Sequence, residues 1–295
     1  MPDLSVDPVR VLVTGGEGLV GSAVVAGLVA AGHEVTTLTL PDAVAHEGVR
    51  MVRGDARDPA AVARALDRVD AVAHLAAIPG PDHAAAVEVF GNNALATFTV
   101  LWTAAEHGVR RFVIASSVNA TGLLLNPHHP LPPRYPVDES VPADLADPYS
   151  LSKQVDEHTL RTVCRRFGAS GVALRLPLMV SSENREQLRS WMAGRPEKGA
   201  GDGWGWLDVR DAAEAFRLAI TGRYEGAHVV HVAAGETFDD RPTEELLRRY
   251  APDVPRQRAY PGHTAPIDTG RARALLGFVP RFADPPSGAV DDEEG

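Results

Sequence analysis

Tyr149 and Lys153 stand four residues apart in "DPYSLSK" (147–153), directly after an Asp-Pro pair. On a helix, positions i and i+4 share one face. A phenol has a reference pKa of about 10 and is a poor base at neutral pH. A neighbouring ammonium favours its ionised form. Tyr149 could then take a proton from a substrate hydroxyl, or return one to a forming alkoxide. A third donor is needed to hold the substrate oxygen. Ser116 and Ser117, in "ASSVNATG" (115–122), are candidates for that role. Taken alone, a Tyr/Lys pair is common on surface helices, so the elements that position these groups must decide.

Those elements alternate along the chain. Short apolar β-branched runs occur at 9–16, 33–40, 49–55, 70–77, 109–117, 171–178 and 228–234. Ala-rich helical stretches separate them, notably at 58–69, 84–107 and 148–167. Near-continuous apolar strands alternating with helices predict an α/β fold, a doubly wound parallel sheet of the Rossmann type. Its ligand crevice should lie beyond the strand C-termini. The pattern weakens after residue 178, where a polar, Gly-rich and Trp-containing stretch predicts a small C-terminal lobe. The expected division is a dinucleotide domain over 8–178, completed by strand 228–234. The substrate lobe takes 179–227 and 235–282, and the tails 1–7 and 283–295 are expected to be disordered.

"VLVTGGEGLVGSAVVAGL" places Gly15, Gly18 and Gly21 between the first strand and the first helix. Glycine serves there for a tight turn, close backbone approach to a pyrophosphate, and close helix–strand packing. The N-terminus of the helix that follows, read over "SAVVAGLVAAG", offers free N–H groups to phosphates. A dinucleotide is therefore the expected ligand.

The loop reads TGGxGxxG and, with motifs that follow in order, resembles the extended short-chain dehydrogenase/reductases, the NAD-dependent epimerase/dehydratase family. "GDARD" (54–58), "HLAA" (74–77), "NNALATF" (92–98), "ASSVNATG", "YSLSK", "WLDVRDAAEAF" (206–216) and "ARALLGFVP" (272–280) all resemble segments of that family. The resemblance spans roughly residues 9–282. It implies an enzyme that moves hydride between nicotinamide and a sugar-like hydroxyl or carbonyl. Ser117, Tyr149 and Lys153 would be its catalytic set, with Ser117 favoured over Ser116 by its spacing to Gly122. Cofactor contacts would come from Gly15, Gly18, Leu19, Val20, Gly21, Thr39, Asp55, Ala56, Leu75, Ala76, Ala77, Asn93, Ser116, Tyr149, Lys153 and Pro177. Lys153 would also hold the nicotinamide ribose.

Cofactor choice turns on the end of the second strand, where a carboxylate commonly contacts the adenosine ribose. Here that position is Thr39, with Asp42 beyond it, and "TLTLPDAVAHEG" has no Arg or Lys for a 2′-phosphate. NAD is expected, with NADP left open. The substrate is less legible. "RLPLMVSSEN" (175–184) lacks the Asn and Tyr-Gly-Pro usual in nucleotide-sugar members, and "SSENREQLRSWMAG" (181–194) is similar to the uronate dehydrogenase branch. Ser117, Asn119, Arg185 and Arg189 are candidate substrate contacts, and Trp191, Trp204 and Trp206 could pack a sugar ring or the lobe's own core. A nucleotide-sugar epimerase or dehydratase with recycled NAD is the alternative; a non-catalytic NAD(P)-binding sensor is a third.

Composition narrows the partners. The chain has 295 residues and a formal charge of 29 − 39 = −10, without a basic run, against nucleic-acid binding. No apolar run reaches membrane-spanning length. The single cysteine, Cys164, permits no intrachain disulfide and suits a cytoplasmic setting. No metal-ligand pattern is present, and His128 and His129 are expected as surface loop residues. The family commonly dimerises through the helix around 84–107 and the YxxxK helix, so a homodimer acting on a small carbohydrate is expected.

Overall fold

The computed structural model describes residues 8–44 and 46–282. The two tails expected to be disordered lie outside the described residues. The chain runs β1 (Arg10–Thr14), α1 (Leu19–Ala30), β2 (Glu34–Thr39), β3 (Arg50–Arg53), α2 (Pro59–Ala65), β4 (Ala71–His74), α3 (Ala86–Glu106), β5 (Arg111–Ser117), α4 (Pro148–Phe167) and β6 (Ser170–Leu176). It continues through β7 (Leu178–Val180), α5 (Arg185–Ala193), β8 (Trp206–Asp208), α6 (Val209–Thr221), β9 (Ala227–His231), α7 (Thr243–Tyr250) and α8 (Gly270–Leu276).

Seven strands form one parallel sheet in the order β3-β2-β1-β4-β5-β6-β9. The order reverses between β1 and β4, which makes the crevice beyond those strand ends the expected ligand position. This is the doubly wound Rossmann-type sheet expected from the alternation of strands and helices.

Each face of the sheet has its own apolar cluster. Val11, Val13, Val113 and Val230 pack with Val24 and Leu28 of α1 and with Phe216 of α6. On the other face Leu12, Val72, Phe112 and Ile114 pack with Leu101 of α3 and Leu160 of α4. Burying strands on both faces explains why their sequences read as nearly unbroken apolar runs.

The apolar clusters combine segments from before and after residue 178. Ala212 and Phe216 of α6, and Ala272 and Leu276 of α8, belong to the sheet's own cluster. A third cluster gathers Leu123, Tyr135, Val180, Trp204, Trp206, Phe238 and Leu246, so the lobe core draws on the loop after β5 as well as on later segments. The strand expected over 171–178 also breaks. Pro177 has no N–H to continue a ladder, and Leu178–Val180 instead pairs with Trp206–Asp208 in a separate two-stranded sheet. Among the described residues, no helix is long and apolar enough to cross a membrane.

Candidate active site

The glycine loop is shaped by contacts that no side chain would survive. Gly15 has φ +71°, and a Cβ there would lie 2.7 Å from the Ala76 nitrogen. A Cβ on Gly21 would lie 1.9 Å from the Gly15 oxygen, so α1 can approach the loop only with glycine there. Gly18 differs, since a Cβ there would meet only the Gly15 oxygen, at 3.5 Å. It caps α1 without any side-chain hydrogen bond, leaving the first-turn N–H groups to a ligand. The loop is braced from below by a buried chain: Thr14 Oγ1 to His74 Nδ1 at 2.7 Å, and His74 Nε2 to Thr97 Oγ1 at 3.0 Å. Burial pushes the His74 pKa down to about 3, so the ring is neutral and structural.

β5 delivers the two serines to the same sheet edge. Ser116 Oγ donates to Glu157 Oε1 at 2.8 Å, and Glu157 also receives Arg175 Nε at 2.8 Å. That cluster locks α4 to β5 and β6. Ser117 Oγ accepts the backbone N–H and the side-chain amide of Asn119, both at 3.1 Å. Its own hydroxyl proton is not spent on either bond, so it can be given to an oxygen in the crevice.

α4 starts where Asp147 and Pro148 dictate. Asp147 Oδ1 accepts the Ser150 N–H at 2.8 Å, and Pro148 occupies the first turn. Tyr149 and Lys153 then share one face, the Lys153 ammonium lying 5.7 Å from the Tyr149 ring centroid. Lys153 is buried; its Nζ donates to the Ala115 carbonyl at 2.9 Å and to Asp156 Oδ2 at 3.2 Å. Burial works against the ammonium, but Asp156, Tyr149 and Glu157 outweigh it and hold the lysine pKa above its ordinary value.

One cavity of about 780 Å³ joins these parts. Gly15, Gly18, Leu19, Val20, Gly21, Leu75, Ala77, Ser116, Ser117, Asn119, Tyr149, Lys153 and Pro177 all line it. Thr39, Asp55, Ala56, Ala76, Asn93, Arg185 and Arg189 are not among its lining residues. Asn93 is instead a clamp. Its amide accepts the Ile78 N–H at 2.7 Å and donates to the Ile78 carbonyl at 3.0 Å, fixing the loop after β4. Asp55 pairs with Arg57 at 2.6 Å, which holds its carboxyl below the usual range. Arg185 pairs with Asp208 at 3.6 Å and Arg189 with Asp240 at 2.8 Å. Both expected anion binders are thus engaged with carboxylates.

Several site residues escaped the sequence reading. Asp202 lines the far wall with Met179 and Met192, in a segment whose pattern gave no signal. Trp191 lines the cavity too, whereas Trp204 and Trp206 are fully buried in the lobe core. Asp156 could have been found: a carboxylate three residues past Lys153 falls on the same helix face. Arg53 is a further surprise. It sits in register beside Thr39 on the neighbouring strand and donates to the Pro41 carbonyl. Positive charge is therefore present at the β2 end, although the local sequence has none. His128 and His129 are exposed.

Comparison with known proteins adds to this geometry. Residues 11–235 match the NAD dependent epimerase/dehydratase family. A UDP-glucose 4-epimerase from Streptomyces lividans is 28% identical, over 93% of this chain and 92% of its own. A 2-alkyl-3-oxoalkanoate reductase from Stenotrophomonas maltophilia is 31% identical, over 81% of this chain and 74% of its own. The solved UDP-glucose 4-epimerase of Thermus thermophilus in complex with NAD is 27% identical, with TM-score 0.66, covering 93% of this chain and 95% of that one. With the glycine loop, the serine-bearing strand end and the tyrosine–lysine helix around one crevice, the chain belongs to the NAD dependent epimerase/dehydratase family, an enzyme family.

Proposed function

We propose that the protein is an oxidoreductase that moves hydride between NAD and a carbon bearing a hydroxyl or carbonyl, with Tyr149 as the acid/base. The carrying observation is that Ser117, Tyr149, Lys153 and the glycine loop line one cavity. The residues fit the dinucleotide: the bare Gly18 and the uncapped start of α1 form a phosphate cradle that a Cβ would fill. When bound, NAD supplies the hydride acceptor. The first turn of α1 would hold its phosphates, and Lys153 would hold its nicotinamide ribose.

Ser117 donates to the substrate oxygen and fixes it beside the tyrosine. Tyr149 removes the hydroxyl proton as the carbon–hydrogen pair leaves as hydride, and the reverse reaction returns that proton. The Lys153 ammonium opposes the negative charge that the proton transfer leaves on Tyr149. Tyr149→Phe keeps the ring and removes the acid; turnover should fall by at least about 100-fold, the range for losing a general acid/base. NAD affinity should change less than threefold, and near-normal turnover would refute the assignment.

A second reading, an epimerase or dehydratase in which the hydride returns to the substrate, is favoured by the similarity to UDP-glucose 4-epimerases. Net oxidation gives a stoichiometric rise in reduced nicotinamide absorbance; recycled cofactor gives product without it. We further propose a homodimer through α3 and α4, where Leu95, Phe98 and Leu151 are exposed. Light scattering of the purified protein tests this, and a monomeric mass would exclude it.

A further inference from the structure

The far wall of the cavity carries a group that the hydride-transfer chemistry leaves unused. Asp202 follows the short helical turn Pro196–Gly201, is 7% exposed and lines the cavity. Its Oδ1 has no hydrogen-bond partner. A buried carboxyl oxygen without a partner is costly and calls for a reason.

The segment around it cannot easily turn the side chain elsewhere. Gly199 packs so tightly on the Trp204 indole that a Cβ would lie 2.2 Å from its Cδ1. Gly205 is equally tight against Ile267, where the distance would be 2.4 Å. Trp204 and Trp206 on either side are buried in the lobe core. Burial raises the Asp202 carboxyl to about 7, against the pull of backbone N–H groups at Trp204, Asp202 and Gly205.

The charge balance of the cavity points the same way. Among the described residues that line it there is no arginine, and the one lysine, Lys153, is bonded to Asp156 and the Ala115 carbonyl. His83 is the other basic side chain there. The same cavity is also lined by apolar Leu125, Leu178, Met179, Trp191 and Met192. A carboxylate or phosphate placed under the lobe would meet Asp202 with no arginine to offset it.

Resting on the hydride-transfer reading for where substrate lies, we propose that Asp202 determines specificity. It accepts a hydrogen bond from a hydroxyl or ammonium group of a non-anionic polyol or hydroxyketone whose apolar face lies on Met179 and Trp191, and it excludes substrates carrying carboxylate or phosphate. The uncharged and the amine-bearing forms share this donor chemistry, and the test separates them.

Binding to the NAD-loaded protein is measured by calorimetry with glucose, glucosamine, glucuronate, UDP-glucose and cyclohexanol as probes. Glucose or glucosamine should bind at least tenfold more tightly than the other three, and whichever leads identifies the neutral or the cationic class. D202N should erase any glucosamine advantage and improve glucuronate binding about tenfold, and D202A should erase the advantage of both sugars over cyclohexanol.

Should neither variant fold, the wild type carries the test. Its discrimination against glucuronate should grow between about pH 5.5 and pH 8.5, where the other titratable lining groups are His83, Tyr149 and Lys153. Tightest binding of glucuronate or UDP-glucose, no advantage of either sugar over cyclohexanol, or unchanged rankings in the variants would overturn the proposal. Because binding is read without turnover, failure here is distinguishable from failure of the Tyr149 assignment.

Discussion

Replacing Asp156 with asparagine removes the carboxylate that sits 3.2 Å from the Lys153 ammonium, with both side chains almost wholly buried. At an effective dielectric of about 20, Coulomb attraction at this separation is about 5 kcal/mol. Breaking a buried pair by removing one partner costs about 3–5 kcal/mol, so the two figures agree. Asparagine keeps an oxygen that can accept from Nζ, which places the expected loss near the lower bound, about 3 kcal/mol. For a chain of this size that is a fall in Tm of roughly 5 °C.

The pH dependence gives the sharper test. In the wild type the lysine pKa is raised above 10.5, so its stabilising contribution is fully present below that value and is lost as pH rises through the folded pKa. Without Asp156 the lysine pKa falls, because burial is then opposed only by the weaker charges at Tyr149 and Glu157. Where the folded pKa drops below the unfolded one, stability rises with pH. The Tm gap between wild type and D156N should therefore narrow between about pH 7 and pH 10. Turnover of the variant should decline on the alkaline side as its lysine loses charge, while the wild type holds. Thermal melts and initial rates over that range check both. A gap that is absent, or that stays constant with pH, would refute the view that Asp156 supports the charge of Lys153.

Other expectations are simpler to read. Gly21→Ala puts a Cβ 1.9 Å from the Gly15 oxygen, against an ordinary contact of at least 3.4 Å, so the loop must yield. Losing one or two phosphate hydrogen bonds at about 1.5–3 kcal/mol each should weaken NAD binding about 100-fold in a fluorescence titration. Gly199→Ala collides with Trp204. Overpacking of this kind costs about 1–3 kcal/mol, seen as a lower Tm, with a raised substrate KM and a nearly unchanged NAD affinity. Asp202 has a folded pKa near 7 against 3.8 unfolded, so its contribution declines as pH rises between those values, by at most about 4 kcal/mol. D202N should flatten that slope and exceed the wild type in Tm at about pH 8. Titrating NAD and NADP against Arg53→Ala tests the charge beside Thr39; unchanged NADP affinity would show that Arg53 holds no 2′-phosphate.

The sheet was legible because its central strands are buried on both faces, which leaves short apolar runs that periodicity alone can find; β3, at the edge, is only partly buried. The glycine loop and α4 were legible because their constraints are local. Gly15 and Gly21 are demanded by backbone contacts within the loop and to β4, and Asp147 and Pro148 start the helix they precede. What escaped depends on distant pairing. Arg53 reaches Thr39 through strand register, Arg185 and Arg189 find their partners at Asp208 and Asp240, and Asp202 faces the cavity only because two tryptophans pin its loop. The break at Pro177 was visible as a residue but not as an event, since its consequence depends on Trp206–Asp208 waiting to pair.

That break has a consequence for inheritance. The β7–β8 ribbon is hydrogen-bonded as its own sheet, separate from the seven strands that carry the glycine loop and the serines. Leu178, Met179, Trp191, Met192, Gly199, Asp202 and Gly205 all come from residues 178–205, one uninterrupted stretch of sequence. A lineage can therefore rewrite that stretch without disturbing the residues proposed to move hydride, and a mutational library confined to 178–205 should yield variants that exchange one substrate for another while still binding NAD.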